Sequence, residues 1–300
     1  MKRSSATILL ILAAAFWGMA FIAQKSAMDF MGPLTFVGSR FLLGGLLVLP
    51  FAIYEYRKRN IVLSKNQKLM ILALCINFFL GSWLQQWGLL TTSATNGGFL
   101  TGLYVFFVPI IQLTLFRTRP HFIIWLCAPL AILGLFLLSG ASVNPFGIGD
   151  YLVISSAIFW AMQVYLLGYL AAETKLPLTI STICFLAAGI FGTIGAFGFE
   201  TITWQGLEAG WVEILYAAIF STAIGFSLQA MGQQYVPPAN AAIIVSSESL
   251  FAAAGGALLL GERLSTNGYI GIAILFTAIV AVETVPQLSR KPKPKAKTQV

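Results

Sequence analysis

Long uncharged apolar stretches alternate with short polar segments along almost the whole chain. A helix that spans a bilayer needs about 20 predominantly apolar residues, and a stretch of that length without charges predicts a membrane crossing. The pattern therefore predicts an all-α integral membrane protein with ten transmembrane helices. We place these helices at 6–23, 34–54, 69–90, 97–116, 121–139, 151–170, 179–199, 211–232, 238–260 and 269–286.

The composition agrees with a membrane protein and excludes a soluble globule. Hydrophobic residues make up 58% of the 300 residues and charged residues only 9%, whereas soluble domains carry about 25% charged residues. Ten crossings leave only short loops, so no sizeable soluble domain is expected. The three cysteines lie inside apolar stretches without metal-ligand spacing and predict small core residues.

The basic residues are distributed unevenly between the two sides of the predicted membrane. If the helices alternate in direction, 15 of the 18 Lys and Arg residues lie on the side of the N-terminus. Cytoplasmic loops carry such an excess, which predicts a cell inner membrane protein with both termini in the cytoplasm. The net charge of +8 thus reflects orientation and predicts no nucleic-acid partner. We expect residues 289–300 to form a basic disordered tail near anionic membrane lipids.

The chain contains an internal repeat at an offset of 144 residues. Pro33-Leu34-Thr35 aligns with Pro177-Leu178-Thr179, and Leu84-Gln85 aligns with Leu228-Gln229. Each copy contains five predicted helices, and because five is odd, the second copy must enter the membrane from the opposite side. We therefore predict two inverted five-helix repeats, 1–140 and 148–288. Inverted repeats are frequent in secondary transporters, although some channels have them as well.

Two segments resemble the end-of-repeat signature of the EamA-type drug/metabolite transporters. The second half has Ser247-Glu248-Ser249-Leu250-Phe251, continuing to Leu260-Gly261-Glu262-Arg263-Leu264, and the first half has Phe99-Leu100-Thr101-Gly102-Leu103-Tyr104 with Arg119-Pro120. The resemblance covers nearly the whole chain and implies a ten-helix transporter of small metabolites, amino acids among them, often for export. Glu262 of the second signature corresponds to Thr118 in the first, so the loop carboxylate is present in only one half.

Two charged residues fall inside predicted helices. Glu248 is about 15 Å deep, where a charge costs roughly 2.5–3.5 kcal/mol on insertion scales. It is either a substrate-ammonium ligand or proton carrier, or a structural carboxylate bonded to Ser246, Ser247 or another helix. Arg40 is about 10 Å deep, within reach of the lipid heads by snorkelling. It either packs there, or contacts a substrate anion, or pairs with Glu248.

Several uncharged polar and aromatic residues complete the candidate substrate site. Tyr104 occupies the repeat position of Glu248 and offers a hydroxyl group. The amides either join helices or line a polar cavity, and the deep tryptophans either pack or form its wall. The candidate substrate-binding residues are Glu248, Tyr104, Gln85, Gln229, Trp17, Trp160, Ser247, Asn77 and Arg40.

The sequence has no pattern for a catalytic, metal or cofactor site. His121 is the single histidine, and no phosphate-binding glycine loop is present. We therefore predict a secondary-active transporter of small polar metabolites that works by alternating access, with amino acid export and proton coupling as options. Two other classes stay open at this point: a passive channel, and an intramembrane hydrolase with Ser246 or Ser247 as nucleophile, for which no buried His or Lys offers a base.

Overall fold

The computed structural model describes residues 1–141, 146–259 and 265–288. Within these ranges the chain is helical and has no strand. The helices are α1 (Arg3–Ala27), α2 (Pro33–Arg59), α3 (Lys65–Gly88), α4 (Ala94–Thr101), α5 (Tyr104–Thr114), α6 (Ile123–Leu138), α7 (Ile148–Thr174), α8 (Pro177–Phe199), α9 (Trp204–Ala209), α10 (Trp211–Tyr216), a π-helical segment (Ala217–Phe226), α11 (Ser227–Gln233), α12 (Pro238–Val245), α13 (Glu248–Leu259) and α14 (Thr266–Leu288).

Eight helical stretches among the described residues are long and apolar enough to cross a membrane, and α6 is a shorter apolar helix. The chain is therefore a multi-pass membrane protein. Several helices run beyond the predicted apolar segments, because hydropathy does not detect helical turns in water. For example, α3 begins at Lys65, where the Ser64 hydroxyl accepts from the Gln67 N–H and the Gln67 side chain accepts from the Ser64 N–H. The predicted loop Glu262-Arg263 and the tail 289–300 lie outside the described residues.

Two carboxylates join α2 and α8 at both ends. Glu200, just past the end of α8, accepts from the backbone N–H groups of Leu34 and Thr35 at 2.7 and 2.8 Å, and from the Thr35 hydroxyl at 2.7 Å. Glu55, in the last turns of α2, accepts in the same way from Thr179 N–H and hydroxyl, both at 2.8 Å. Each carboxylate thus binds the unpaired N–H groups at the start of the other helix.

The helices α2 and α8, which are repeat equivalents, are antiparallel and closely packed. A Cβ added to Gly38 would lie 2.8 Å from the Thr193 nitrogen, and one added to Gly45 would lie 2.8 Å from Leu186 Cδ2. Going along α2 from Gly38 to Gly45, the contacted residue of α8 moves backwards in the sequence, from Thr193 to Leu186. Small residues such as Gly38 and Gly45 allow this close approach of two membrane helices. The antiparallel direction of α2 and α8 is the one expected for equivalent helices of inverted copies.

The first helix of each half packs against the other half: α1 lies on the π-helical segment, and α7 lies on α3. On α1, Trp17 lies against Gly225 of the π-helical segment, and on α7, Trp160 lies against Gly81 of α3. Phe16-Trp17 aligns with Phe159-Trp160 at an offset of 143, one residue less than the rest of the repeat, and Gly81 aligns with Gly225 at 144. The two halves therefore interlock around a common centre.

Two helical breaks also occur at equivalent positions. Between α4 and α5 the break is at Gly102-Leu103, and between α12 and α13 it is at Ser246-Ser247. The backbone stays bonded through tight turns, for example Leu103 N–H to Leu100 O at 3.3 Å and Ser247 N–H to Ile244 O at 3.1 Å. Each break comes directly before a candidate site residue, Tyr104 or Glu248.

Candidate functional site: a buried polar cavity

A small cavity lies at the centre of the molecule, between the two halves. Its volume is about 50 Å³, enough for a few water molecules on a scale where one needs ~10–15 Å³. Polar side chains from α1, α2, α3, α7, α11 and α13 surround it. Seven of the nine predicted site residues line this cavity: Trp17, Arg40, Gln85, Tyr104, Trp160, Gln229 and Glu248.

Glu248 is the acidic group of the cavity. It is the first residue of α13, where the positive end of the helix dipole favours a carboxylate. The Tyr104 hydroxyl donates to Glu248 Oε1 at 3.3 Å, and each of the two residues is 4% exposed. Glu248 is therefore held inside the bundle and away from lipid.

Arg40 is the basic group of the cavity. Its Nη1 donates to Gln24 Oε1 at 3.1 Å, its guanidinium lies 4.4 Å from the centre of the Phe41 ring, and its Nε has no hydrogen-bond partner among the described residues. At 2% exposure, it does not snorkel to the lipid heads. It makes no ion pair with Glu248 among the described residues.

Hydrogen bonds surround the cavity: Trp160 to Gln85 and Trp17 to Ser221 cross between the two halves, and Gln163 to Gln229 lies within the second half. The Trp160 indole donates to Gln85 Oε1 at 2.8 Å, and Gln163 Nε2 donates to Gln229 Oε1 at 3.1 Å. The Trp17 indole donates to the Ser221 carbonyl at 3.0 Å. Most polar groups of the lining thus have protein partners, which fixes their orientation.

Aromatic rings form one wall of the cavity. Phe226 lies between the two tryptophans, with ring centres 4.5 Å from Trp17 and 5.7 Å from Trp160. The wall offers flat apolar surface beside the charged groups.

Two predicted site residues lie elsewhere. The Asn77 amide donates to the Ala73 carbonyl of its own helix at 2.7 Å, which turns it away from the cavity. Ser247 is buried next to Glu248, but it does not line the cavity, and its hydroxyl has no partner among the described residues.

Sequence reasoning missed eight lining residues: Phe21, Gln24, Thr101, Gln163, Val164, Ser221, Phe226 and Val245. Gln24 and Gln163 were detectable as amides within apolar helices. Thr101 directly precedes the break at Gly102, and its hydroxyl has no partner among the described residues. Phe226 carried no signal, because nothing in an apolar helix distinguishes one phenylalanine from its neighbours.

A second, larger cavity of about 550 Å³ lies on the side that the charge bias assigns to the outside. It is bounded by α1, α4, α6 and α13, and Lys25 and Gly98 are among its lining residues. Phe21 lines both this outer vestibule and the central cavity. A single aromatic side chain therefore stands between them.

The fold and the cavity define a class, namely helical multi-pass membrane proteins in which two repeated halves enclose a polar centre. The EamA-like transporter family model matches residues 4–140 and again 147–284. The chain belongs to this family.

Curated relatives include proteins of known and unknown substrate. An uncharacterized transporter of Archaeoglobus fulgidus is 31% identical over 94% of this chain and 86% of its own length. The uncharacterized transporter YwfM of Bacillus subtilis is 25% identical over 96% of each chain. The threonine/homoserine exporter RhtA of Escherichia coli K12 is 27% identical over 90% of this chain and 88% of its own.

A solved crystal structure of another protein shares the fold. It superposes with a TM-score of 0.78 at 16% sequence identity, covering 96% of this chain and 100% of its own. At this identity the likeness concerns the fold alone.

Proposed function

We propose that this protein is a secondary-active transporter that exports small polar metabolites, amino acids first among them, by alternating access. The observation that carries the proposal is the contact between Tyr104 and Glu248 in a buried polar cavity. These two residues are repeat equivalents, so their contact supports a site at the meeting point of the two halves. The similarity to RhtA, named as a threonine/homoserine exporter, supports the amino acid class.

The topology we propose is ten membrane crossings in two inverted five-helix repeats, 1–140 and 148–288. In this arrangement α4 with α5, and α12 with α13, each form one broken crossing, and α10, the π-helical segment and α11 form another. The antiparallel packing of α2 on α8 supports the inversion. The basic residues favour an inner-membrane location with both termini and the tail 289–300 in the cytoplasm.

The ligand chemistry follows from the two charges of the cavity. Burying an ion without a partner is costly, and neither Arg40 nor Glu248 has a described partner of opposite charge. An α-amino acid supplies both, with its carboxylate for Arg40 and its ammonium group for Glu248. The rings of Trp17 and Phe226 then face its side chain. A proton on Glu248 is the alternative counter-ion, and exchanging proton for substrate would couple the two fluxes.

The two sides of the cavity differ in the way alternating access requires. Gly98 and Ala252 line the outer vestibule, whereas their repeat equivalents Ala242 and Val108 are fully buried on the cytoplasmic side. If the two inverted repeats exchange their conformations, the closely packed cytoplasmic side opens and the outer vestibule closes. The described conformation then corresponds to a nearly closed centre with its larger opening outside.

The other two classes have less support. A passive channel would need a continuous path, and the cavity of about 50 Å³ is bounded by packed side chains. An intramembrane hydrolase would need an activated serine, but the Ser246 hydroxyl donates to the Ile243 carbonyl at 2.6 Å and not to a base. Neither alternative uses the two charged groups of the cavity, Arg40 and Glu248.

Counterflow in proteoliposomes tests the proposal. Vesicles loaded with unlabelled amino acid should accumulate labelled amino acid transiently and saturably. Glu248→Gln should abolish this exchange, while Glu173→Gln, which removes an exposed carboxylate far from the cavity, should leave it intact. Flux that never saturates would favour a channel, and a Glu248→Gln variant with unchanged pH dependence would exclude the proton-carrier role.

A further inference from the structure

A third cavity, of about 370 Å³, opens at the end of the molecule that carries the N-terminus. It lies between the start of α1, the end of α5, the loop before α6, the start of α12 and the end of α14. Arg3, Arg119 and His121 contribute nitrogen donors to its lining, and Gln112 and Asn240 contribute amides. This cavity is separate from the central one, and the two share no lining residue.

The two arginines differ in how they are held. Arg3 Nη2 donates to Glu283 Oε2 at 3.1 Å and its Nε lies 3.1 Å from Oε1, an ion pair that orients the guanidinium. Arg119 is exposed and has no partner among the described residues. The cavity therefore combines one oriented cation with one that is free to close on a ligand.

His121 adds a further donor. Its Nδ1 accepts from the Ile123 N–H at 3.4 Å, so in the neutral ring the proton sits on Nε2. The only carboxylate in contact with these lining cations among the described residues is Glu283, which Arg3 already binds. Positive charge and N–H donors thus prevail in the cavity.

The walls of the cavity are built from restrained backbone. Pro120, Pro237 and Pro286 line it, each with a fixed backbone angle. Asn240 Nδ2 donates to the Val282 carbonyl at 2.9 Å and ties α12 to α14. The backbone of the site is therefore preformed, and the Arg119 side chain is the part that a ligand would order.

Apolar side chains flank the basic loop on the outside. Leu115 is 63% exposed and Phe122 is 68% exposed, and they lie on either side of Arg119 in the sequence. In a membrane such residues face acyl chains. Basic pockets between transmembrane helices on the cytoplasmic side bind lipid head groups.

We infer that this basic cavity, built by Arg3, Arg119 and His121, is a binding site for a phosphate group at the cytoplasmic surface. A phospholipid head group and free phosphate share the chemistry that the site recognises, and the exposed Leu115 and Phe122 favour the lipid. The site would anchor the ends of α1, α5, α12 and α14 to one another through a single anion.

Lipid retention by the purified full-length chain tests this inference. The protein is equilibrated with phosphatidylglycerol or with phosphatidylcholine in detergent, and bound lipid is counted by native mass spectrometry. Arg119→Gln should weaken phosphatidylglycerol binding about fivefold, the effect of one Arg near an anionic head group. The matched control is Arg117→Gln, which removes the same charge from the same loop outside the cavity. His121→Gln serves as a second, independent variant.

Each result decides the inference. Selective loss of phosphatidylglycerol in the Arg119 and His121 variants supports a lipid site. Thermal stabilisation of wild type by inorganic phosphate, lost in the same variants without any lipid preference, supports a free-anion site. Equal loss in the Arg117 control would overturn the inference, because surface charge alone would then explain binding. Absence of any phosphate or lipid preference in wild type would overturn it as well.

Discussion

Tyr104 and Glu248 are 144 residues apart, which is the offset of the internal repeat, and their side chains are hydrogen bonded at 3.3 Å. Two equivalent residues of a two-fold arrangement can touch each other only close to the symmetry axis. The pair therefore marks the axis that relates the two halves. It also shows how duplication followed by divergence makes an asymmetric site, since one copy carries a phenol and the other a carboxylate.

Removing the phenol should impair the site without dismantling it. Tyr104→Phe deletes the hydroxyl that donates to Glu248 and keeps the ring. A hydrogen bond to a charged group contributes about 1.5–3 kcal/mol. We therefore expect the substrate affinity measured in proteoliposomes to fall by about tenfold or more. Tyr235→Phe, at an exposed tyrosine just beyond the end of α11, is the control and should behave as wild type. Unchanged substrate affinity for Tyr104→Phe would remove the hydroxyl from the site.

Gly18 permits α1 to cross α13 directly beside Glu248. A Cβ at this position would collide with the Glu248 carbonyl oxygen and would lie 2.7 Å from the Ala252 nitrogen. Gly18→Ala should therefore destabilise the protein by about 1–3 kcal/mol, seen as a lower melting temperature in detergent, and should reduce transport. Gly198→Ala is the control, because nothing lies within 4 Å of a Cβ there. Equal melting temperatures for the two variants would contradict the close crossing.

The carboxylates Glu55 and Glu200 should stabilise the α2–α8 pair. Glu200→Gln keeps the size of the side chain but replaces one acceptor oxygen by a donor, so the bonds from Leu34 and Thr35 can no longer all form. We expect a loss of about 1–3 kcal/mol, measured by thermal unfolding, and a similar loss for Glu55→Gln. Glu173→Gln should have no effect, and comparable melting of all three variants would show that the two contacts contribute nothing.

The helical segments and the repeat were predictable from the sequence, because both depend on local apolar runs and on aligned identities. The family was predictable from the motifs around Glu248 and Arg119. Seven of the residues that line the cavity could be named from the sequence, mostly because a polar side chain in an apolar helix must face the interior of the bundle or water.

The direction of individual side chains was not predictable to the same degree. Asn77 and Gln85 are eight residues apart on one helix, about 80° in rotation, and only Gln85 reaches the cavity. Arg40 was placed by depth alone, whereas Gln24 and Phe41 of the folded protein hold it inside. The breaks before Tyr104 and Glu248 contain no proline, and although Gly102 and the Ser246-Ser247 pair are residue types found at kinks, they were not predicted as breaks.

Access to the central cavity from each side of the membrane tests the account most directly. Thr101 lines the cavity, and a Thr101→Cys variant without Cys75, Cys127 and Cys184 carries one reactive thiol there. In oriented vesicles, a membrane-impermeant thiol reagent should modify this cysteine from either side, and saturating substrate should protect it from both. Modification from one side only, with or without substrate, would contradict alternating access around this cavity.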